Sequence, residues 1–329
     1  MATSYANAGV DISKVKGIHS EIEGMLKGTH LPGVLPIHGH YAGLVKIGTE
    51  TIAMHTDGVG TKVLVAHELG KYDTVGIDCV AMNVNDIICV GAKPIALVDY
   101  LALQHEDAKL VRELMKGLVK GAKEAEVSLI GGETAIMPDL IKGEKGKTGF
   151  DLAGTCIGVV KGKPITGEAM RVGDVIVGIE SSGVHSNGFT LARKALPKKY
   201  WGELLVPTKI YVKPVMEMLA SFEVHGMAHI TGGAFSKLMR IGNYAKVGFK
   251  LNEMPNPQKV FQRMVGAGIS EREMYRTFNM GIGYCVVCSK RDAGKAIELS
   301  KKHKMKALVI GSIVKERKVV IKGETVFEC

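Results

Sequence analysis

Apolar residues along this chain alternate between two spacings. "ETIAMH" (50–55), "IALVDYLAL" (95–103), "VSLI" (127–130) and "LAGTCIGVV" (152–160) are short apolar runs with the length and composition of strands. Between them, Ile77, Val80, Ala81, Val84, Ile87 and Ile88 fall at helical spacing over 73–89. Leu110, Val111, Leu114, Met115, Leu118 and Val119 mark a second amphipathic helix. The alternation predicts an α/β (α+β) fold whose first unit lays helices on a mixed sheet. "KGKPITGEAMRVGD" (161–174), rich in Gly, Pro and charge, interrupts the pattern and predicts a boundary between residues 1–165 and 166–329. Beyond it, "DVIVGIE" (174–180), "YCVVC" (284–288), "ALVIGSIV" (307–314) and "KVVIKG" (318–323) predict strands. "GFTLARKAL" (188–196), "YVKPVMEMLA" (211–220) and "AFSKLMRIG" (234–242) predict helices. This is a second α/β unit.

Composition narrows the function classes. The longest apolar-looking region, Cys79 to Leu103, contains Asn83, Asn85, Asp86, Lys93, Pro94 and Asp99, which rules out a membrane span. The first residues carry no apolar signal-peptide core, so a cytoplasmic protein is expected. Six scattered cysteines argue against a disulfide framework, and Cys285 and Cys288 lie in an apolar strand that points them to opposite faces. The net charge of +10 is concentrated in "SKKHKMK" (300–306) and "IVKERKVVIKG" (313–323), as on a solvated helix face and edge strand. Aromatics make up only 5% of the chain, too few to interleave with basic residues on a nucleic-acid surface, so no nucleic-acid partner is expected. A phosphate-bearing small molecule is the natural use of the positive surplus.

Four polar or Gly-rich loops each follow an apolar run: "HTDGVGTK" (55–62), "LIGGETAIMPD" (129–139), "GIESSGVHSNG" (178–188) and "HITGGAF" (229–235). Strand ends are where α/β proteins bind ligands. None of the four is a Walker loop. "IKGEKGKT" (141–148) has Ile141 where that pattern needs its first Gly, and in "DGVGTK" Lys62 follows Thr61. Gly58 and Gly60 let the backbone approach phosphate oxygens, and Lys62 has the charge to neutralise them. Asp57 would repel phosphate unless a divalent cation lay between, and magnesium suits one or two carboxylates, water and phosphate oxygens. An Asx-type turn with a solvated lysine reads the same loop equally well. Asn83 and Asp86, three apart on the next helix, and Glu133 after two glycines add acids to the magnesium reading; a buried hydrogen bond is the other use for Asp86. In the second unit, Ser181, Ser182, His185, Ser186 and Asn187 open a helix, where free N–H groups attract anions. His185 is a candidate acid, base or phosphate donor. Thr231, Gly232 and Gly233 repeat the design before the next helix. His225 and His229 lie four apart without an H-E-x-x-H pattern and are read as structural.

"AGVDI", "DGVGTK", "DTVGIDCVAMNVNDI", "GGETAIMP", "SSGVHSNG", "PTKIYVK", "HITGG" and "EMYRTFNMGIG" resemble, in sequence and in order, the AIR synthetase (phosphoribosylformylglycinamidine cyclo-ligase) family of purine biosynthesis. The likeness spans nearly the whole chain. "EMYRTFN" with "PTKIYVK" is specific to the cyclo-ligase, whereas "DGVGTK" or "GVHSNG" alone marks only the wider superfamily. The resemblance implies a homodimer whose N-terminal domains close a β-barrel, ATP with Mg2+ as cofactors, and formylglycinamidine ribonucleotide as substrate. It implies that Asp57, Asp86 and Glu133 hold magnesium. Gly58, Gly60, Thr61, Lys62, Asn83 and Lys27 would contact ATP, and Asp57, Lys62, Asp86 and His185 would form the catalytic set. Ser186, Asn187, Thr231, Gly232, Gly233 and Arg276 would bind substrate or phosphate, with Asn279 structural. The chain departs from many bacterial members in three places. It has "PIHGHYAGLV" (36–45), with His38 and His40, where they carry a "GGFG"-type loop. It has Glu23, with Lys27 one turn later, in place of a nucleotide-linked lysine. Ile136 stands where an acid is common. The acidic loops also fit thiamine-monophosphate kinase, selenophosphate synthetase, the hydrogenase-maturation enzyme, or a non-catalytic nucleotide-binding subunit. The absence of a Cys before Cys79 argues against the synthetase. The joint presence of Asp57, Lys62, Asp86 and His185 argues against a decayed site.

Overall fold

The computed structural model describes residues 12–37, 39–143 and 148–328. His38, most of "AGVDI" and the centre of "IKGEKGKT" lie outside the described residues. The first unit runs α1 (Ile12–Leu26), β1 (Gly43–Ile47), β2 (Glu50–Gly58), α2 (Lys62–Leu69), α3 (Asp73–Ile88), β3 (Ala92–Leu103), α4 (Ala108–Ala125), β4 (Ser128–Ile136) and β5 (Phe150–Val160). Its five strands form one mixed sheet in the order β1-β2-β5-β3-β4, with only β3 and β4 parallel.

The second unit contains β6 (Val175–Glu180), α5 (Phe189–Ala195), α6 (Trp201–Leu204), α7 (Val212–Ser221), β7 (Val224–His229), α8 (Lys237–Ala245) and β8 (Gly248–Leu251). It continues through α9 (Lys259–Gly266), α10 (Glu271–Thr277), β9 (Ile282–Cys288), α11 (Ala293–Lys302), β10 (Ala307–Val314), β11 (Lys318–Ile321) and β12 (Glu324–Glu328). Its sheet has the order β12-β11-β8-β10-β6-β9-β7. Cys285 and Cys288 are buried on β9, and the five described cysteines are all free.

Helix α3 is the hinge of the architecture. Every residue from Thr74 to Ile88 is buried, polar ones included. An amphipathic helix normally keeps one face wet. This one does not, because its apolar face lies on the first sheet while the second unit covers its polar face. Its N-terminal half meets α4 backbone to backbone: a Cβ on Gly76 would lie 2.4 Å from the Leu114 carbonyl oxygen, and one on Gly117 would lie 2.2 Å from that of Asp73. Only glycine permits that approach.

Two of the predicted loops are partly strand. His55–Gly58 completes β2, and the ladder continues through Val59 N–H to the Leu152 carbonyl before Gly60, at φ +65°, turns the chain. "GGETAI" belongs to β4, paired along β3. Glycine made these segments look like loops, but the neighbouring strand supplies the hydrogen bonds that hold them extended.

Candidate active site

Strand β2 and helix α3 bring two carboxylates to the seam between the units. Asn83 clamps the first: its amide donates to the Asp57 carbonyl at 3.1 Å and its side-chain oxygen accepts from Asp57 N–H at 3.1 Å. The Asp57 carboxylate accepts from Gly58 N–H at 2.8 Å. Burial, then the charge of Asp86, push the Asp57 carboxyl above its ordinary range, against the opposing pull of His55 and Lys237. Asp86 is 5% exposed. Burial alone would raise it, but the bond from His229, with His55 and Lys237 close by, holds it below the ordinary carboxylate range. His229 Nδ1 lies 2.7 Å from Asp86 Oδ1, and its Nε2 faces the Asn85 amide nitrogen at 3.5 Å. A carboxylate can only accept, so Nδ1 donates in the bond to Asp86. His55 Nε2 sits 3.5 Å from the other Asp86 oxygen.

The two anion-loop candidates converge beside this pair. Ser186 Oγ donates to the Val59 carbonyl at 3.0 Å, tying the loop after β6 to the turn after Asp57. A Cβ on Gly232 would lie 2.8 Å from Asn187 Oδ1, so the loops after β6 and β7 touch. Thr231 is buried, Gly232 and Gly233 are half-buried, and Gly233 turns at φ +79°. The "PTKIYVK" segment is the fastener between the units. Thr208 donates through N–H and hydroxyl to Asp78, Tyr211 N–H donates to Asn85 Oδ1, and the Asn85 amide donates to the Lys209 carbonyl. Asn279 is structural: its amide donates to the Gly183 carbonyl, and its side-chain oxygen accepts from Ser181 and Gly281.

Several expected contacts are not made. Lys62 does not reach the cleft: its side chain has no exposed surface. Its ammonium pairs with Asp78 at 2.8 Å and donates to the carbonyls of His185 and Val206 at 2.9 and 2.8 Å. Three acceptors exhaust its three donors. His185 is 1% exposed, takes the Ser182 N–H on Nε2 at 3.2 Å, and is held neutral by burial, with His229 and Lys62 adding to the effect. Gly283 makes room for it, since a Cβ there would lie 2.4 Å from His185 Cε1. Glu133 pairs with Tyr100 in the β3–β4 ladder and so shares the outer face of the sheet, while its neighbour Gly132 stands in the row Asp57, Gly154, Asp99. Three strand spacings separate it from Asp57, roughly 14 Å. The three acids therefore do not meet in one protomer, and among the described residues no group of three or more His, Cys, Asp or Glu forms a metal cage. Arg276 turns toward β12, donating to the Val326 carbonyl and lying over the Phe327 ring. Lys27 is exposed on a short 3-10 turn, and Thr61 is exposed at the start of α2.

The groups that do face the acids were not singled out from the sequence. His55 shares a strand face with Asp57 by its i, i+2 spacing. Lys237 opens α8 just after the Gly232–Gly233 turn and acts electrostatically on both Asp57 and Asp86. Burial and Arg240 lower its pKa to about 8 while the two acids hold it up. The donor set fits a divalent cation: two carboxylates close enough to couple, Asp57 half-buried and Asp86 buried. It is the set magnesium takes when water and phosphate oxygens complete the shell.

Residues 39–160 match the AIR synthase related protein N-terminal domain, and residues 171–324 match its C-terminal domain. The chain is 47% identical to phosphoribosylformylglycinamidine cyclo-ligase of Pyrococcus furiosus, covering 97% of this chain and 98% of that protein. It is 49% identical to the protein of the same name from Saccharolobus solfataricus, covering 88% and 87%. Among solved structures, thiamine-monophosphate kinase from Stenotrophomonas maltophilia shares the fold at TM-score 0.64 and 18% identity, covering 91% of this chain and 94% of that one. No described helix is long and apolar enough to cross a membrane. Matches over both halves, at nearly half identity along the full length, show that this chain belongs to the phosphoribosylformylglycinamidine cyclo-ligase family of AIR synthases.

Proposed function

We propose that the chain closes the imidazole ring of formylglycinamidine ribonucleotide, converting it with ATP to aminoimidazole ribonucleotide, ADP and phosphate in de novo purine biosynthesis. The γ-phosphoryl group passes to the formyl-amide oxygen, making it a leaving group. The neighbouring nitrogen attacks the activated carbon, phosphate departs and the ring closes. Such transfer depends on positioning and charge neutralisation more than on covalent help from the protein. One observation carries the reading: Asp57, clamped by Asn83, and Asp86, clamped by His229, lie near enough for the charge of one to act on the other, beside the place where the Ser186–Asn187 and Thr231–Gly233 loops meet.

Asp57 and Asp86 are the residues that would hold Mg2+, which when bound would screen the phosphate charges. Asn83 orients Asp57, and His229 orients Asp86. Gly58 and Gly60 leave the backbone open to the nucleotide. Ser186, Asn187, Thr231, Gly232 and Gly233 line the place for the substrate and the transferred group. Lys237 supplies the cation that Lys62, locked on Asp78, does not. His185 positions this loop rather than exchanging protons, because it is sealed and neutral. Residues 1–165 serve as the nucleotide and dimerisation domain and residues 166–329 as the substrate domain.

The active form is a homodimer. The outer face of the first sheet supports this: Met54, Val98, Tyr100 and Ile130 are each 38 to 66% exposed on neighbouring strands. An apolar sheet face of that kind marks an interaction surface. Glu133 stands on the same face.

The test is turnover. The protein is mixed with ATP, magnesium and formylglycinamidine ribonucleotide, and ADP and aminoimidazole ribonucleotide are followed together. Equal, substrate-dependent formation of both supports the reading. ATP binding without either product overturns it.

A further inference from the structure

A cavity of about 600 Å3 lies between the linker 161–169, the adjoining ends of β3 and β5, and the chain where α7 passes into β7. The volume is in the range that receives a small ligand. The cavity is separate from the acidic pair. Val159 on its wall lies five residues along β5 from Gly154, the partner of Asp57, roughly 17 Å at the rise of a strand. Three lysines meet there. The β3–β5 register sets Lys93 opposite Val159, and Lys161 and Lys163 follow two and four residues later. All three are exposed, and among the described residues none makes an ion pair. Ile165, Met216, Leu219 and the Phe222 ring supply a half-buried apolar wall. Two acids, Glu168 and Glu223, also line the cavity. Glu223 is turned to the His225 ring, 4.0 Å from Nε2, while Nδ1 of that ring lies 2.7 Å from Asp174.

Unpaired lysines beside an apolar hollow attract a phosphate, and an apolar wall with an aromatic ring receives a flat heterocycle. A carboxylate on the rim accepts from sugar hydroxyls. We infer that this cavity is a second ligand site, for a nucleoside monophosphate. Lys161 and Lys163, with Lys93, take the phosphate. Phe222 and its apolar neighbours take the base, and Glu168 accepts from the ribose. The backbone that carries the lysines is already anchored. Ile165 N–H donates to the Val90 carbonyl at 3.1 Å, just past the end of α3, and the Thr166 carbonyl lies 3.3 Å from His40 Nε2. An occupant would touch both units, Lys93 from the first and Phe222 from the second.

The test is calorimetric titration of AMP into the full chain, with the acidic site first filled by a non-hydrolysable ATP analogue and magnesium. AMP is expected to bind the filled protein, and the double variant Lys161→Met, Lys163→Met is expected to weaken it by about tenfold or more. Ribose 5-phosphate and adenosine, used as separate probes, should each bind the wild type about tenfold or more weakly than AMP, because each lacks one half of the contacts. No binding of AMP at millimolar concentration overturns the site. Unchanged affinity in the double variant overturns it too, since AMP would then bind elsewhere. Ribose 5-phosphate binding as tightly as AMP also overturns it, reducing the cavity to an anion patch. If the double variant loses stability in urea, amide hydrogen exchange of the wild type decides. Protection of residues 161–169 by AMP supports the site, and no protection overturns it. Turnover does not enter these readouts, so the site and the cyclo-ligase reading stand or fall separately.

Discussion

Lys62 and Asp78 form an ion pair of 2.8 Å in which neither side chain has any exposed surface. The pair lies where α2, α3 and the loops of the second unit come together, and its ammonium also bonds the His185 and Val206 carbonyls. A lysine that reads as a phosphate ligand is thus a bolt between the two units. Replacing Lys62 with Met should leave Asp78 buried without its countercharge and destabilise the fold by about 3–5 kcal/mol. Urea unfolding followed by circular dichroism measures this. A variant that keeps its midpoint but loses turnover would return Lys62 to the phosphate site.

Asp57→Asn should behave in the opposite way. Burial and Asp86 disfavour the Asp57 carboxylate, so removing its charge relieves strain in the empty protein and the melting temperature should hold or rise. Turnover should fall by about 100-fold or more, as when one electrostatic stabiliser is lost. Near-normal turnover would remove Asp57 from the reaction.

Lys237 is half-buried, and its charge couples to both acids. Lys237→Met should lower turnover by about 10- to 100-fold without lowering the urea midpoint, and Lys237→Arg should recover part of the loss. If Arg and Met variants are equally poor, shape rather than charge matters there.

Two histidines set a pH dependence of stability. Burial lowers His40 to about 4, and burial, with His229 and Lys62, takes His185 well below its ordinary value. Both are neutral in the fold, while in the unfolded chain they bind protons near pH 6.5. Between those limits the unfolded state holds more protons, so stability falls as pH drops from about 7 toward 4. Urea midpoints taken across that range should show the decline, and His185→Gln should flatten it. A midpoint that rises on acidification would contradict the sign.

The outer sheet face predicts the assembly. Val98→Lys places a charge among Met54, Tyr100 and Ile130 and should convert a dimer into a 35.3 kDa monomer. Light scattering after gel filtration reads the mass directly. A wild type that is already monomeric at micromolar concentration would end the dimer proposal.

The sequence alone determined what depends on near neighbours. Helical spacing from Ile77 to Ile88 gave α3, the apolar run from Ile95 to Leu103 gave the core of β3, and Asp57 beside Gly58 and Gly60 marked the turn at the seam. These follow from the periods of helix and strand and from the backbone freedom of glycine, all within a few residues. Tertiary structure decided which charges meet. Lys62 and Val206 are 144 residues apart, and so are Asn85 and His229, so no local spacing encodes those contacts. The face of Glu133 hangs on the β3–β4 register, where a shift of one residue turns a side chain from one side of the sheet to the other. The phosphate contact expected of Lys62 is replaced by these long-range bonds, and the three-acid cluster is broken by that register. Charge and spacing showed which residues could do chemistry, and packing of the second unit onto α3 selected Asp57, Asp86, His229 and Lys237 from among them.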